Sequence, residues 1–265
     1  MTDTNKPPLA LLIDGNNLAM PYLHTVGADR VRSSVERIVD AMVRKWSPAE
    51  AIACFDPPGR TWRHDLMDGY KAGRPRHPDA DRAIDAAKIA MADGDVTVEE
   101  YAGFEADDAI ATHTAAAVRD GMQVVIVSGD KDLHQCLSDG EVAQAVDVKR
   151  DGDRVGVKWV NAAEVVRKYG VRPGQWVDYR VMVGDPSDGI RGIEGIGPVA
   201  AAAVLSAFGS LGAFYGDAWK VQTSLTEAAE RRVRTKLFNA KPHVPALREL
   251  LTLRRDVPIG AGVVA

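Results

Sequence analysis

Three aspartates stand at or within three residues of the ends of short apolar runs, where carboxylates are well placed to bind a metal ion. Asp14 and Asp56 each end such a run, and Asp130 lies three residues beyond another. The carboxyl ends of parallel strands lie along one edge of an open α/β sheet, so we expect these side chains to converge. Crowded carboxylates raise one another's pKa, and a divalent cation relieves that repulsion.

Further acidic residues enlarge the candidate site. They are Glu105, Asp107, Asp108, Asp132, Asp185 and Asp188. A site of carboxylates without His or Cys suits Mg²⁺ or Mn²⁺, and two ions about 4 Å apart suit phosphodiester hydrolysis. Each acid alone has an ordinary alternative, which is to cap or complement a helix N-terminus. The complete set favours the metal site.

Basic and aromatic residues follow Asp56 closely. Lys71 and Arg74 are three apart, so on a helix they share a face, and an ammonium and a guanidinium suit a phosphate chain. Tyr70 is placed to stack on a base; the alternative is a solvated helix face with Tyr70 in the core. Arg63 belongs to the same basic stretch.

A glycine-rich turn, residues 192–197, precedes an apolar helical pattern. Its backbone N–H groups can face phosphate oxygens without side-chain obstruction. The alternative is a turn that only reverses the chain between two helices. Residues 220–256 carry nine basic and four acidic residues, although the whole chain has a net charge of −4. This asymmetry favours the phosphate-binding interpretation.

Alternating apolar runs and helical patterns predict the elements that position these residues. Strands are predicted at 9–13, 51–55 and 123–127, and helices at 31–46, 79–91 and 107–119. The pattern is typical of an α/β domain with a mostly parallel sheet. The polar residues 147–154 predict a turn between two hairpin strands. Helices are expected to start at Asn161 and Pro173, and the next strand-like run after them is 250–253. We place a boundary near Val160, between an α/β domain (1–160) and a helical subdomain (161–265).

Composition excludes several classes of protein. Of 265 residues, 46% are hydrophobic and 26% charged, which excludes a mostly disordered chain. No run reaches the ~18 apolar residues of a membrane helix, and the N-terminus lacks an apolar secretory segment. Two cysteines are too few for a disulfide framework and fit a reducing cytosol. We expect a cytoplasmic protein, a monomer that makes no membrane contact.

Together these motifs resemble the 5′-nuclease family, which includes the 5′→3′ exonuclease domain of bacterial DNA polymerase I, phage 5′-nucleases and flap endonucleases. The similar segments occur in family order over residues 9–214. They are Leu12-Ile13-Asp14-Gly15, Phe55-Asp56, Thr61-Trp62-Arg63-His64, Tyr70-Lys71-Ala72-Gly73-Arg74, Glu105-Ala106-Asp107-Asp108, Ser128-Gly129-Asp130-Lys131-Asp132, Val183-Gly184-Asp185-Pro186-Ser187-Asp188 and residues 192–197.

The resemblance implies a PIN-like nuclease domain with a helical arch over the site and a helix–hairpin–helix subdomain that holds duplex DNA. It implies a two-ion site made of all nine acids above, with Asp130, Asp132, Asp185 and Asp188 serving the second ion. It implies catalytic roles for Asp14, Asp56, Asp107, Asp130, Lys71 and Arg74. It also implies DNA contacts and a K⁺ site. The DNA contacts are Arg63, Tyr70, Lys71, Arg74, Lys131, Arg191, Gly195 and Gly197, and the K⁺ ligands are Ser187, Gly192, Ile193, Gly195 and Ile196.

One departure concerns the turn after Asp188. The family commonly reads Ser-Asp-Asn-Ile-Pro-Gly there, whereas this chain has Gly189 and Arg191 in place of Asn and Pro. The change puts the second ion site in doubt and offers an extra phosphate contact. We expect a free-standing nuclease for 5′ flaps, nicks, duplex 5′ ends and RNA primers. The alternatives are a catalytically silent junction-binding protein of the same fold and an RNA-directed PIN-type nuclease.

Overall fold

The structure is a computed structural model that describes residues 7–73, 75–151, 154–217 and 223–260. Six strands form one sheet in the order β3-β2-β1-β4-β5-β6. They are β1 Leu9–Asp14, β2 Glu50–Phe55, β3 Thr97–Glu100, β4 Gln123–Val127, β5 Val142–Asp151 and β6 Arg154–Val160. All neighbours pair in parallel except β5 and β6, which are antiparallel. The ends of β1, β2 and β4 therefore lie side by side.

Helices cover both faces of this sheet. On one face lie α1 (Gly15–Val26), α2 (Ala28–Trp46) and α4 (Ala80–Asp93), whose apolar residues share a core with alternate residues of β1, β2 and β4. The small side chains of Ala83, Ala87 and Ala90 let α4 pack closely on α2. On the other face α5 (Ala106–Arg119) packs against β1, β2 and β4.

Contacts divide the chain into two compact units. The first holds the described residues of Met1–Thr61, Arg76–Asn161 and Leu253–Ala265, and the second those of Trp62–Pro75 and Ala162–Thr252. Each unit is thus built from more than one stretch, whereas the sequence analysis places one division near Val160. Among the described residues, every helix is too short or too polar to span a bilayer.

The second unit is mainly helical. Its helices are α3 Trp62–Leu66, α6 Ala162–Tyr169, α7 Trp176–Val183, α8 Pro198–Phe208, α9 Leu211–Asp217, α10 Glu227–Ala240 and α11 Val244–Leu251. A two-stranded ribbon, β7 Gly184–Asp185 and β8 Ile190–Arg191, lies between α7 and α8. Buried Trp176, Leu205, Phe214 and Leu237 form part of its core.

The predicted α/β class with a mostly parallel sheet is confirmed, as are the three strands and the helices after Asn161 and Pro173. The predicted turn at 147–154 is too long, because β5 continues to Asp151 through a bulge that places Asp147 at φ 50°. The prediction of a strand at 250–253 is wrong, because Leu250 and Leu251 are the last two residues of α11. A run of four apolar residues does not distinguish a strand from a helix. The β7–β8 ribbon is too short to leave a periodic signal.

The segment between β2 and β3, which contains Lys71, is made of α3, a series of turns and α4. Lys71 lies in a turn with φ 54°, so it is not on the helix face that the sequence analysis assumed. Arg74 lies outside the described residues. The helix α4 buries its alanine face in the core of the first unit.

Candidate functional site

The carboxylate of Asp14, in the first unit, is held in place by hydrogen bonds. It ends β1, caps the N-terminus of α1 and is 5% exposed. One carboxylate oxygen accepts the backbone N–H of Asn17 at 2.9 Å, and the other accepts the hydroxyl of Ser128 at 2.8 Å. The helix-capping role considered for Asp14 is therefore present, and it leaves the carboxylate fixed at the strand end.

Two asparagines tie the three strand ends together. The side-chain oxygen of Asn16 accepts the backbone N–H of Asp56 at 3.1 Å, and that of Asn17 accepts the N–H of Gly129 at 2.7 Å. Both asparagines follow β1, so they fix the chain after β2 and after β4 against it. Gly15 is required here, because a Cβ atom would lie 2.2 Å from the ring of Phe55.

The loop after β4 is held by its own side chains. The hydroxyl of Ser128 accepts the N–H of Asp130 at 3.0 Å, and the carboxylate of Asp130 accepts the N–H of Asp132 at 2.8 Å. The amide of buried Gln144 donates to the carbonyls of Ser128 and Asp130. Asp130 and Asp132 are half-buried, and Lys131 between them is exposed. This network fixes the direction of the loop.

The acids around the start of α5 have different roles. The carboxylate of Asp56 accepts the N–H of Ala106 at 2.8 Å, which links it to the helix N-terminus. Buried Asp108 accepts the N–H of Glu105 at 3.3 Å and that of Arg254 at 2.9 Å. Both oxygens of Asp108 are thus engaged by the backbone, which favours the structural alternative for this residue.

Glu105 is buried and Asp107 half-buried beside them. The pKa of the Cys136 thiol is raised to about 12, mainly by burial; the charge of Arg255 opposes the rise and that of Asp107 contributes to it.

The electrostatics of Asp14 show that charge is crowded at this edge. The pKa of Asp14 is raised to about 7, mainly by burial and in addition by the charges of Asp56 and Asp130, while the hydrogen bonds from Asn17 and Ser128 oppose the rise. A carboxylate in this state favours a bound cation, because the cation offsets both the desolvation and the repulsion. The donor set of Asp14, Asp56 and Asp130 is all oxygen, which suits a hard divalent ion.

The acids of the second unit have different partners. Asp185 pairs with Arg180, and it also accepts the backbone N–H of Ser187 at 3.0 Å. Asp188 accepts the hydroxyl of Tyr70 at 3.2 Å, and its carbonyl accepts the N–H of Lys71 at 3.3 Å. These contacts hold the segment after Gly69 against the turn after β7.

Two residues expected to contact DNA have structural partners. Tyr70 is 4% exposed, which favours its core alternative over stacking on a base. Arg63 is 3% exposed and donates to the carbonyl of Leu250 at 3.0 Å. Arg191, in contrast, is exposed. The ammonium of Lys71 lies 5.1 Å from the centre of the Tyr70 ring.

The glycine-rich turn presents backbone outward and side chains inward. Gly195 and Gly197 are exposed, whereas Ile193 and Ile196 are buried. The N–H of Ile196 donates to the carbonyl of Ile193 at 2.9 Å, which closes the turn. A short β-ribbon, missed by the sequence analysis, precedes the turn, and there Gly192 approaches Gly184 so closely that a Cβ atom would lie 2.5 Å from its nitrogen.

A lysine absent from the predicted set contacts this turn. The ammonium of Lys236, on α10, donates to the carbonyl of Glu194 at 2.8 Å. A Cβ atom on Gly195, where φ is 72°, would lie 2.3 Å from that ammonium. The turn therefore already carries a positive charge supplied by the chain. Of the expected K⁺ ligands, the Ser187 hydroxyl donates to Asp185 and the Ile193 carbonyl is the acceptor that closes the turn.

Sequence reasoning did not assign roles to Asn16, Asn17, Ser128 and Gln144. The first three stand inside the motifs Asp14-Gly15-Asn16-Asn17 and Ser128-Gly129-Asp130, which are the available signal. Gln144 lies on β5 without such a motif.

Comparison with solved structures supports the fold. T5 5′-exonuclease with bound divalent metal ions (zinc) superposes with a TM-score of 0.74 at 19% identity, covering 92% of this chain and 89% of that one. A T5 D15 flap endonuclease variant in a pseudo-enzyme–product complex with DNA and metal ions gives a TM-score of 0.73 at 19% identity over the same shares.

Sequence comparison shows the family. DNA polymerase I of Deinococcus radiodurans is 34% identical over 267 residues; the match covers 97% of this chain and 26% of that protein, so the chain spans about a quarter of this curated relative. The family model for the 5′-3′ exonuclease N-terminal resolvase-like domain matches residues 10–170, and that for the 5′-3′ exonuclease C-terminal SAM fold matches residues 171–264. The chain belongs to the 5′-3′ exonuclease family.

Proposed function

We propose that this protein is a divalent-metal-dependent 5′-nuclease that hydrolyses phosphodiester bonds in DNA with 5′ flaps, nicks or duplex 5′ ends, and RNA primers. The observation that most supports this proposal is the raised pKa of the buried Asp14 carboxylate. A buried carboxylate whose pKa is raised to about 7, with Asp56 and Asp130 adding to that rise, has the electrostatics of a cation site.

Asp14, Asp56, Asp107 and Asp130 hold the catalytic Mg²⁺ or Mn²⁺ in this proposal, with Glu105 and Asp108 supporting them. Ions bound at such a site lower the pKa of water and stabilise charge on the phosphate and the leaving oxygen. Asn16, Asn17 and Ser128 keep the carboxylates in place, since outer hydrogen bonds orient metal ligands. A second ion served by Asp130, Asp132, Asp185 and Asp188 is part of the proposal.

Lys71 and Arg74 are proposed to stabilise the charge that develops on the scissile phosphate. The backbone of Lys71 is fixed by the hydrogen bond that its N–H donates to the Asp188 carbonyl. Lys131 and Arg191 are exposed and suit phosphate contacts.

The exposed glycines 195 and 197 are proposed to bind the duplex through backbone N–H groups, with K⁺ at the same turn. Such contacts carry no sequence information, so we expect weak sequence preference and binding that weakens as salt rises. In this proposal the protein acts on DNA as a monomer in the cytoplasm.

The test is cleavage of end-labelled 5′-flap DNA by the whole chain with Mg²⁺, with EDTA, and by the Asp130→Ala variant. We expect cutting near the junction with Mg²⁺ that both EDTA and the substitution abolish. Asp120→Ala removes an exposed acid at the end of α5 and is the matched control, with activity unchanged. Thermal unfolding of each variant checks that it is folded.

Two outcomes would replace the proposal. Tight flap binding without cutting in Mg²⁺ or Mn²⁺ identifies a silent junction-binding protein. Faster cutting of single-stranded RNA than of flapped DNA identifies an RNA-directed nuclease.

A further inference from the structure

Three side chains of metal-binding type meet on the sheet face that α5 covers, outside the all-oxygen site. Cys54 on β2 stands in register with Glu99 on β3, so the two share a face as direct neighbours. His113 on α5 reaches them, with its Nε2 atom 2.5 Å from a carboxylate oxygen of Glu99. One ligand atom from each residue lies within 4.8 Å of the other two.

This cluster is shielded from water. Cys54 is fully buried, Glu99 is 6% exposed and the side chain of His113 is 11% exposed. The hydroxyl of Tyr101 donates to the same carboxylate at 2.8 Å. Burial alone would raise the pKa of Glu99, but His113 and Tyr101 hold it below its ordinary value, so the carboxylate is charged at neutral pH.

The simplest interpretation of this cluster is a buried hydrogen bond between His113 and Glu99 beside a cysteine that takes no part in it. It explains the contact between His113 and Glu99 but gives no role to the sulfur beside them. Sulfur, imidazole nitrogen and carboxylate oxygen are together the ligands that Zn²⁺ accepts, at about 2.0–2.3 Å each. Ligand atoms of a tetrahedral site lie about 3.3–3.8 Å apart by that geometry, so the cluster closes on an ion by small side-chain rotations.

We propose that Cys54, Glu99 and His113 form a binding site for one Zn²⁺ ion, separate from the all-oxygen site. Binding replaces the hydrogen bond between His113 and Glu99 with two metal bonds. The Nε2 atom gives up the proton of that hydrogen bond, to Nδ1 when the ring is neutral and to solvent when the ring is charged, and the thiol proton of Cys54 goes to solvent. The hydrogen bond from Tyr101 orients the Glu99 ligand. The thiolate makes the site selective against Mg²⁺ and Mn²⁺, which prefer oxygen.

Cys54 also stands in register with Asp14 on its other side, so the two sites are neighbours across one strand pair. A test must therefore separate an ion at the sulfur from an ion at the carboxylates. Co²⁺ does this, because only a thiolate ligand gives its near-ultraviolet charge-transfer absorption.

The experiment is a Co²⁺ titration of the whole chain, reduced and freed of metal, followed by ultraviolet–visible absorption. We expect a thiolate-to-Co²⁺ band that saturates at one ion per chain and disappears when Zn²⁺ is added. The band is lost in Cys54→Ser and kept in Cys136→Ser, which changes the other buried cysteine. No band in the unaltered chain, or an equal band in Cys54→Ser, overturns the proposal.

X-ray absorption of the unaltered, Zn²⁺-loaded chain provides a test that needs no variant. One sulfur at about 2.3 Å with nitrogen or oxygen at about 2.0–2.1 Å supports the site, and a shell of oxygen alone overturns it. Neither readout depends on DNA cleavage, so this proposal and the proposed nuclease activity can fail independently.

Discussion

Buried carboxylates occur in both units, but the protein neutralises them in different ways. In the second unit, Asp178 pairs with Arg248, and Asp185 pairs with Arg180. In the first unit, Asp14 accepts hydrogen bonds from a backbone amide and a hydroxyl, and among the described residues no Lys or Arg pairs with it. The second unit therefore carries its own counter-charge at these acids.

The difference supports the proposed position of an external cation beside Asp14. A buried carboxylate with a guanidinium partner is complete, and losing the partner leaves an uncompensated charge. Another buried carboxylate has only neutral hydrogen-bond donors as partners and lies near other acids. Its ionised form is stabilised when a metal ion supplies the compensating positive charge. Substitution of the two kinds of acid should therefore have opposite effects on the ion-free protein.

The largest expected effect is on activity. Replacing Asp14 with Asn removes a proposed metal ligand, and ions of this kind contribute several kcal/mol to the transition state. We expect kcat/KM for 5′-flap cleavage in Mg²⁺ to fall roughly 10³-fold, at about 1.4 kcal/mol for each tenfold. In EDTA at about pH 8, above the pKa of Asp14, the same variant should melt at a higher temperature than the unaltered protein, because its buried side chain is neutral.

Asp178→Asn is the matched substitution in the second unit. It should melt lower in EDTA, with a loss of about 1–3 kcal/mol of unfolding free energy, because Arg248 loses its partner. The loss is kept small because that arginine is partly exposed. Equal shifts of the melting temperature in both variants would remove the contrast between the units.

The next effect is the pH dependence of stability without metal. The pKa of Asp14 rises from 3.8 to about 7 on folding, so the folded protein keeps a proton that the unfolded chain releases. This contribution to the unfolding free energy is full below about pH 4 and is lost as pH rises through about 7. Its upper bound is roughly 4 kcal/mol, at 1.36 kcal/mol for each pKa unit.

Urea unfolding at about pH 5 and about pH 8, with EDTA or Mg²⁺, measures this effect. Mg²⁺ competes with the proton, so we expect it to stabilise the protein more at the higher pH. Asp14→Asn should weaken that difference. A gain from Mg²⁺ that is the same at both pH values would place the ion away from Asp14.

The strands and the acids at their ends could be predicted from the sequence because both signals are local. A short apolar run followed by Asp identifies a buried strand and its last residue, and parallel pairing then brings Asp14, Asp56 and Asp130 together. The partners of these acids could not be predicted in the same way. Whether Asp108 binds a metal or accepts the N–H of Arg254, 146 residues away, depends on how the chain returns to the sheet.

The same limit explains the basic residues. Arg63 and Tyr70 stand in a stretch whose composition suits DNA, yet both are buried by contacts with residues more than 100 positions away. Lys236 contacts the glycine-rich turn from a helix 42 residues further on, and nothing in its local sequence distinguishes it from the other lysines there. Residue type and spacing predict which chemistry a segment could perform. Long-range packing decides which of its side chains lie at the site and which are buried elsewhere.

A smaller effect is expected from the asparagines that tie the strand ends. Asn17→Ala removes the acceptor of the Gly129 N–H, which should cost about 1–3 kcal/mol. It should also raise the Mg²⁺ concentration for half-maximal cleavage about 10-fold, since it loosens the support of the metal ligands. Gln123→Ala is the control, because its side-chain amide also bonds the backbone, donating to the Gly140 carbonyl from the opposite end of β4. A shift in half-maximal Mg²⁺ common to both variants would mean that stability alone sets it.

The smallest effect concerns the turn of the second unit, where the chain supplies its own cation. Lys236→Met removes the ammonium from the Glu194 carbonyl beside Gly195. If that charge lies near a phosphate of bound duplex, the slope of log affinity against log salt should fall by about 0.9, which is the loss of one phosphate contact. Lys45→Met is matched, because that lysine also donates to a backbone carbonyl, that of Val155 in the first unit. Flap binding measured over a series of KCl concentrations should leave the slope of Lys45→Met unchanged, and equal slopes in all three proteins would mean that Lys236 serves only to hold the turn.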